Sequence, residues 1–259
     1  MEIKETLFKE FTIPDHFHNT YCIGLLSQGI KESIVEGNYS IVHSNSVTIV
    51  NPYQVHSDQN LSKDATRFRM LYINKDVLNF FAKKNYGKID RNILFTNNLI
   101  TDSLVSEAIL NLFNQMSNEN LLGNKLFNLI ELILEKYQET NKDFKYNASL
   151  SAISDSVEYA RLNFADKIDI AKMAMDCKLS KYQFIRYFNK LTGLTPASYM
   201  IVCRVNYAKS LLVKGFPIGQ LALEAGFYDH AHFCKFFKFY TGISPTEYKK
   251  DCNIIQAED

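Results

Sequence analysis

The sequence predicts an α+β protein, with an antiparallel β-barrel and accessory helices in its N-terminal half and an all-α C-terminal half. Three observations lead there. Short apolar runs separated by turn residues fill the chain as far as Ile73. Beyond Asn74 the apolar period lengthens to three or four residues, the spacing of a helix face. A twenty-residue segment from Ser180 also recurs at a constant offset of 49 residues, which marks a duplicated supersecondary unit.

A chain of 259 residues that is 46% hydrophobic can bury two modest cores, so two domains are expected. The formal charge of +1 divides unevenly: residues 1–150 hold 15 Lys+Arg against 17 Asp+Glu, and residues 151–259 hold 14 against 11. That asymmetry is too small to identify a nucleic-acid binder by itself. Cys22, Cys177, Cys203, Cys234 and Cys252 are scattered without a C-x-x-C pair, which argues against a zinc finger or a disulfide framework and fits a reducing cytoplasm. No basic stretch followed by an apolar core opens the chain, and no run approaches the roughly 18 apolar residues of a membrane helix. A soluble, unexported, cytoplasmic protein with no membrane partner is expected.

In the first half, strands are expected at Tyr21–Leu26, Ile30–Val35, Tyr39–Val42, Val47–Val50 and Phe68–Ile73, with a hairpin turn at Glu36-Gly37-Asn38. Their spacing suggests a small antiparallel barrel or jelly roll. Asp76 is expected to cap a short helix through Lys83. Thr101 or Asp102 is expected to cap a longer one with apolar positions at Val105, Ala108, Leu112 and Met116. From Leu121 to Tyr137 the helix positions Leu122, Leu126, Leu129, Ile133 and Tyr137 are joined by a surplus at Phe127, Ile130, Leu132 and Leu134. Such a helix is buried on two sides, either between the barrel and a second subunit, making a homodimer through 121–137, or wholly within its own domain. Polar, aperiodic residues then suggest a linker over 141–152, dividing a domain at 1–140 from one at 153–259. Helix breaks are expected at 166–169, 177–179, 193–195, 215–217, 226–229 and 242–244.

The repeat aligns Phe184 with Phe233, Phe188 with Phe237, Thr192 with Thr241, Gly193 with Gly242, Pro196 with Pro245 and Tyr199 with Tyr248. Each copy has the parts of a helix-turn-helix, over about 169–193 and 217–242. In the first, Asp169 caps a helix with Ile170, Met173 and Ala174, and Ser180 caps a second that buries Phe184, Phe188 and Leu191. In the other, a helix from Ile218 presents Leu221 and Ala222, Gly226 makes the turn, and Asp229 caps a helix that buries Phe233, Phe237 and Tyr240. Lys178 takes the place of Gly226 in the first copy. At about 100° per residue, Tyr182, Arg186 and Asn189 face outward from one second helix, flanked by Gln183 and Ile185. Ala231, Lys235 and Lys238 face outward from the other, flanked by His230, His232 and Cys234. An ordinary helical bundle with solvated charges is the plain alternative. A narrow aromatic stripe opposite basic, amide and imidazole groups, after a short helix and a tight turn, suits insertion into a major groove.

The pattern Leu/Ile-Ala, Gly-Phe, cap, Phe, Phe-Lys, Gly-x-Ser-Pro-x-x-Tyr over residues 218–249, with its counterpart at 170–199, strongly resembles the AraC/XylS family of transcription regulators. Tyr199, Arg204, Ala208 and Leu212 stand at the spacing of the long helix that joins the two units there. The resemblance implies recognition helices at 180–192 and 229–241, about one duplex turn or ~34 Å apart. Base-edge candidates by that resemblance are Lys181, Tyr182, Gln183, Ile185 and Arg186, then His230, Ala231, His232, Cys234 and Lys235. Lys190, Lys238 and Lys209 are expected on phosphates. Lys235 where arginine is usual, Cys234 for a small hydroxyl residue, Gly219 inside a helix and Lys249 for a terminal arginine depart from the family pattern.

In the N-terminal half, His16-Phe-His18, Tyr21, a hairpin and Asn51-Pro-Tyr-Gln-Val-His56 resemble the cupin-like sensor domain of the same family. His-x-His with a distant His is how metal-binding cupins assemble ligands. The carboxylate expected soon after the pair is missing, since positions 22–24 are Cys, Ile and Gly, so no metal or cofactor is expected. The histidines are expected instead to bond a strand end or a small ligand. Tyr21, Tyr39, Tyr53 and Tyr72 either line a pocket with polar tips or fill the barrel. The resulting expectation is a small-molecule-responsive activator that binds double-stranded promoter DNA and works with RNA polymerase. A cupin-type metalloprotein or enzyme with a helical appendage is the alternative. No phosphate loop, nucleophile elbow or catalytic carboxylate pair supports catalysis.

Overall fold

Residues 1–86, 93–115, 119–140 and 151–254 are described by the computed structural model. In chain order the first half contains β1 (Glu2–Phe8), β2 (Thr12–His16), β3 (Tyr21–Gln28), β4 (Ile30–Val35), β5 (Asn38–His43), β6 (Ser46–Val50), β7 (His56–Asn60) and β8 (Thr66–Ile73). It continues through α1 (Lys75–Tyr86), β9 (Ile93–Phe95), β10 (Leu99–Ile100), α2 (Ser103–Phe113), α3 (Glu119–Tyr137) and β11 (Gln138–Thr140). The second half is α4 (Ser151–Leu162), α5 (Ile170–Asp176), α6 (Lys181–Thr192), α7 (Pro196–Val213), α8 (Ile218–Glu224), α9 (His230–Thr241), α10 (Pro245–Asp251) and a short β12 (Cys252–Ile254).

Two antiparallel sheets build the barrel, one ordered β10-β6-β3-β8-β1-β12 and the other β2-β7-β4-β5, while β9 and β11 form a separate ribbon. Alternation along the strands of the larger sheet gives it two different faces. Ile3, Tyr21, Ile23, Leu25, Leu71 and Ile73 turn to one side and join Val105, Ile109 and Leu112 of α2 and Leu126, Leu129 and Ile133 of α3 in one core. Lys4, Thr6, Phe68, Met70 and Tyr72 turn to the other side, toward the smaller sheet. The β4–β5 hairpin closes on Glu36 and Gly37, whose φ of 49° and 81° are those of a type I′ turn.

Strands β1, β2 and β7 lie outside the apolar-run expectation for a physical reason. Their inward residues include Lys4, Thr6, His16 and His56, which are buried yet polar, so no hydrophobic alternation marks them. Strand β4 is inverted for the same reason: Lys31 and Ser33 point in, and Ile30 points out.

Asp76 does not cap α1. The helix begins one residue earlier, Leu78 N–H bonds the carbonyl of Asn74, and Asp76 stands in the first turn, while the helix runs past Lys83 to Tyr86. Asp102 does cap α2, accepting from Leu104 N–H at 2.8 Å. Met116 and the linker positions 141–150 lie outside the described residues, and 151–152 already belong to α4. In α3, Leu122, Leu126, Leu129, Ile130, Ile133 and Leu134 are buried, and Phe127 packs edge-on against Phe81 of α1.

The helical half follows its caps. Ser180, Thr195 and Asp229 hold the starts of α6, α7 and α9, and Pro196 opens α7 where its missing N–H is harmless. Gly193 and Gly242 end α6 and α9 at φ 75° and 79°. Phe184, Phe188, Phe233 and Phe237 are wholly buried, each contributing about 1.5–3 kcal/mol, and Leu191 is only half-buried. They meet Tyr199, Val202, Ala208 and Leu212 of α7, which serves both helix pairs as a spine. Gly219 falls in the first turn of α8 with open space around it. Lys249 reaches the carbonyls of Gly215 and Phe216 at 3.3 and 3.5 Å.

Candidate functional site

The turns of the two helix pairs are built alike. Lys178 N–H bonds Met175 O and Leu179 N–H bonds Ala174 O; Gly226 N–H bonds Leu223 O and Phe227 N–H bonds Ala222 O. Lys178 and Gly226 both take the left-handed conformation, at φ 55° and 76°. The turns therefore correspond 48 residues apart while the helices after them correspond at 49, and Tyr228, 92% exposed, is the residue added in the second copy.

Helix α6 carries a reciprocal cap: Ser180 Oγ accepts from Gln183 N–H at 3.3 Å and Gln183 Oε1 accepts from Ser180 N–H at 3.1 Å. Only the amide nitrogen of Gln183 is left to face outward. Lys181, Tyr182, Arg186, Asn189 and Lys190 are exposed, and Ile185 is half-buried. On α9, His230, Ala231, Lys235 and Lys238 are exposed, and Cys234 is half-buried with its Sγ 3.6 Å from His230 Nδ1. His232 turns partly inward. Its ring packs on Phe227 and Phe236, and its Nδ1 is buried without a hydrogen-bond partner. The Arg186 guanidinium lies 5.2 Å from the Tyr187 ring and Lys235 Nζ 5.9 Å from that of Phe236, contacts that direct both stems. Neither helix contains a carboxylate, so each outer face is positive.

Between the two sheets and the helical half lies a cavity partly open to solvent. Phe11, Phe17, Phe68, Met70, Val202 and Val205 supply apolar wall. Its polar side combines barrel groups, among them His16, His18, His56 and Tyr72, with Asn206 and Lys209 of α7 and Tyr248 of α10. Lys209 Nζ is 3.5 Å from His18 Nδ1 and 4.4 Å from the centre of the Tyr72 ring. Lys31 and Asp58 pair at 2.8 Å at the base, where the ammonium holds the buried carboxyl below its usual range against the opposing effect of burial. Burial, followed by the nearby His56 for His16 and by the Lys209 ammonium for His18, lowers the pKa of His16 and His18 well below the ordinary value, and burial lowers that of His56. All three are neutral at pH 7. Thr6 Oγ1 reaches this cavity with no hydrogen-bond partner.

Of the residues expected to bind a ligand, the structure gathers His16, His18, His56 and Tyr72 at the cavity. Three others fall elsewhere. Tyr21 stands one residue before Cys22 and so on the opposite face of β3, where its hydroxyl donates to Ile93 O at 2.7 Å. Tyr39 is exposed at the β4–β5 hairpin, and Tyr53 packs on Phe17 outside the cavity lining. Lys209 is likewise not a phosphate contact: it is buried against the barrel, on the side of α7 that faces away from solvent. Lys4, Thr6 and Lys209 are among the polar cavity residues that reasoning on the sequence did not place there. For Lys4 and Thr6 the available signal was alternation with Ile3 and Glu5 in the first strand.

Two family profiles match this chain: the AraC-like ligand binding domain over residues 4–132 and a helix-turn-helix domain over residues 173–251. The chain belongs to the AraC/XylS family of transcription regulators. Among its relatives, the HTH-type transcriptional regulator YbfI of Bacillus subtilis is 28% identical, over 85% of this chain and 80% of that one. The probable transcriptional regulator LumQ of Photobacterium leiognathi is 24% identical over 96% of this chain and 98% of its own. In fold the chain is similar to ToxT of Vibrio cholerae, with a TM-score of 0.59 at 16% identity, covering 99% of this chain and 97% of that one. As an AraC-type protein it is a DNA-binding regulator with a ligand-binding domain, and the relatives just described are regulators rather than enzymes. Among the described residues, no helix is long and apolar enough to cross a membrane.

Proposed function

We propose that this regulator is an activator that reads two successive major-groove segments with α6 and α9 and responds to a small molecule held in the interdomain cavity. The observation that carries the reading is the pairing of two carboxylate-free outer helix faces with a cavity walled by α7, the helix joining them. Arg186 and Lys235 donate to guanine edges, with Tyr182, Asn189, His230 and Ala231 beside them. Lys181, Lys190 and Lys238 hold phosphates. The half through residue 140 senses the effector and dimerises through α3, the half from residue 153 binds DNA, and RNA polymerase is the partner of the bound form.

The cavity's chemistry supports an apolar effector with an anionic group. Aromatic and aliphatic walls suit a hydrocarbon body, and Lys209, with the unpartnered Thr6 hydroxyl, suits a carboxylate. ToxT has been solved with an unsaturated fatty acid bound, which agrees with this choice. An effector acts by binding one domain arrangement better than another, so its influence equals that difference in affinity.

Anisotropy titrations against genomic fragments selected by the protein, at several salt concentrations, test the reading. The double variant Arg186→Ala, Lys235→Ala is expected to lose about 1–3 kcal/mol of discrimination for each contact while keeping its fold by circular dichroism. Full retention of sequence preference would refute the assignment of these helix faces. For the effector, a long-chain monocarboxylate is expected to bind, and Lys209→Met to weaken it at least about tenfold. Equal affinity in the variant would remove the carboxylate from the proposal.

A further inference from the structure

The histidines of the cavity do more than line it. His16, His18 and His56 are all buried, and one ring nitrogen from each lies within 4.8 Å of the others. Their rings stand 4.2–5.1 Å apart between centroids. His16 Nδ1 is 2.8 Å from the carbonyl of Pro14, and His56 Nδ1 is 3.0 Å from the carbonyl of Gln54. A carbonyl only accepts, so each Nδ1 carries the proton and each Nε2 keeps its lone pair. A backbone carbonyl behind a histidine, fixing tautomer and ring orientation, is the supporting arrangement that metal-binding imidazoles require. The β-bulge between Ile13 and His16 and the turn before β7 hold these two histidines opposite each other in the β2–β7 register.

From this geometry we propose that His16, His18 and His56 form a three-imidazole site for a late first-row divalent metal, of which Co(II), Ni(II) and Zn(II) are the probes. Nitrogen donors without a carboxylate select these ions over magnesium and calcium. The carboxylate missing at positions 22–24 is no obstacle, because three protein nitrogens suffice for a site whose remaining position is open to water or to an oxygen donor in the cavity. The placement gives the site a regulatory position. Lys209 of the spine helix faces His18, so a bound dication and the Lys209 ammonium repel each other across the domain boundary.

The test uses the whole chain, stripped with chelator and free of DNA and organic ligand, so that its failure leaves the proposed DNA and effector roles standing. Titration with Co(II) is expected to give saturable binding at one equivalent, with visible d–d bands and no thiolate-to-metal charge-transfer band, and Zn(II) is expected to displace it. His16→Gln and His56→Gln are each expected to weaken binding at least about tenfold. His230→Ala, which removes the exposed imidazole beside Cys234, is expected to leave it unchanged. Failure of the wild-type protein to bind Co(II) saturably overturns the proposal even if the cavity variants do not fold. A thiolate band, or loss of the signal in His230→Ala, overturns it by placing the metal on α9.

Discussion

At the level of residues, the two helix pairs share one backbone conformation but fill it with different residues. Lys178 and Gly226 occupy the same left-handed position of the same turn, at φ 55° and 76°, and only glycine does so without steric strain. The strain on a side chain there amounts to roughly 1–2 kcal/mol, offset in part by the greater chain entropy of glycine. Lys178→Gly is therefore expected to stabilise the protein by about 0.5–1 kcal/mol, read as a higher urea midpoint. The reciprocal change is not symmetrical. A Cβ on Gly226 would lie 2.3 Å from the carbonyl oxygen of Ala165, in the loop after α4, so backbone must move as well as strain be absorbed. Gly226→Ala is expected to cost at least about 2 kcal/mol in the same measurement. A smaller loss would mean that the α4–α5 loop yields freely.

At the level of elements, Asp102 ties α2 to α3. Its side chain caps α2 while its other oxygen accepts from Lys136 Nζ at 2.7 Å and Tyr137 Oη at 2.9 Å. Chiefly the Lys136 hydrogen bond, then that of Tyr137, holds this carboxyl at about 2. A depressed carboxyl pKa contributes stability above its unfolded value near 4, and that contribution fades as pH falls toward the folded value. Asp102→Asn, which keeps a capping oxygen but not the charge, is expected to lower the urea midpoint at pH 7. The gap to wild type should narrow as the pH falls below about 4. A gap constant across that range would show the charge to be irrelevant. Elements of this kind were legible in the sequence wherever a cap met a stripe of apolar residues, as at Asp102, Ser180 and Asp229, whereas α8 starts after Pro217 without a side-chain cap. The barrel was legible where its strands face the main core and in the β4–β5 hairpin, which its turn residues mark. Strands β1, β2 and β7 present polar groups to a cavity, so the pattern that normally betrays a buried face is absent from them. The cavity itself was half legible for the same reason: a histidine pair stands out in any sequence, whereas Lys4 and Lys209, 205 positions apart in the chain, meet only through the fold.

Across the whole molecule, one aromatic side chain bears much of the join between the halves. Phe17 belongs by sequence to the barrel yet is buried in the core of the helical half, with its ring 4.8 Å from that of Tyr199 and its carbonyl accepting from Asn206 Nδ2 at 2.8 Å. Around it, Tyr248 donates to Glu2, and β12 extends the barrel sheet beside β1. The cavity it borders is lined by α7, α9 and α10 but by no residue of α6, so an occupant bears directly on the second helix pair and reaches the first only through α7. Replacing a buried phenylalanine by alanine removes about 3–5 kcal/mol. Here that loss falls on the join between the halves, because Phe17 is a barrel residue buried in the helical core. Phe17→Ala is thus expected to split thermal unfolding into two calorimetric transitions, one for each half, while DNA affinity survives and the effect of a cavity ligand on that affinity disappears. A single transition at the wild-type temperature, with the ligand effect intact, would mean that the remaining contacts transmit the signal and that Phe17 only fills space.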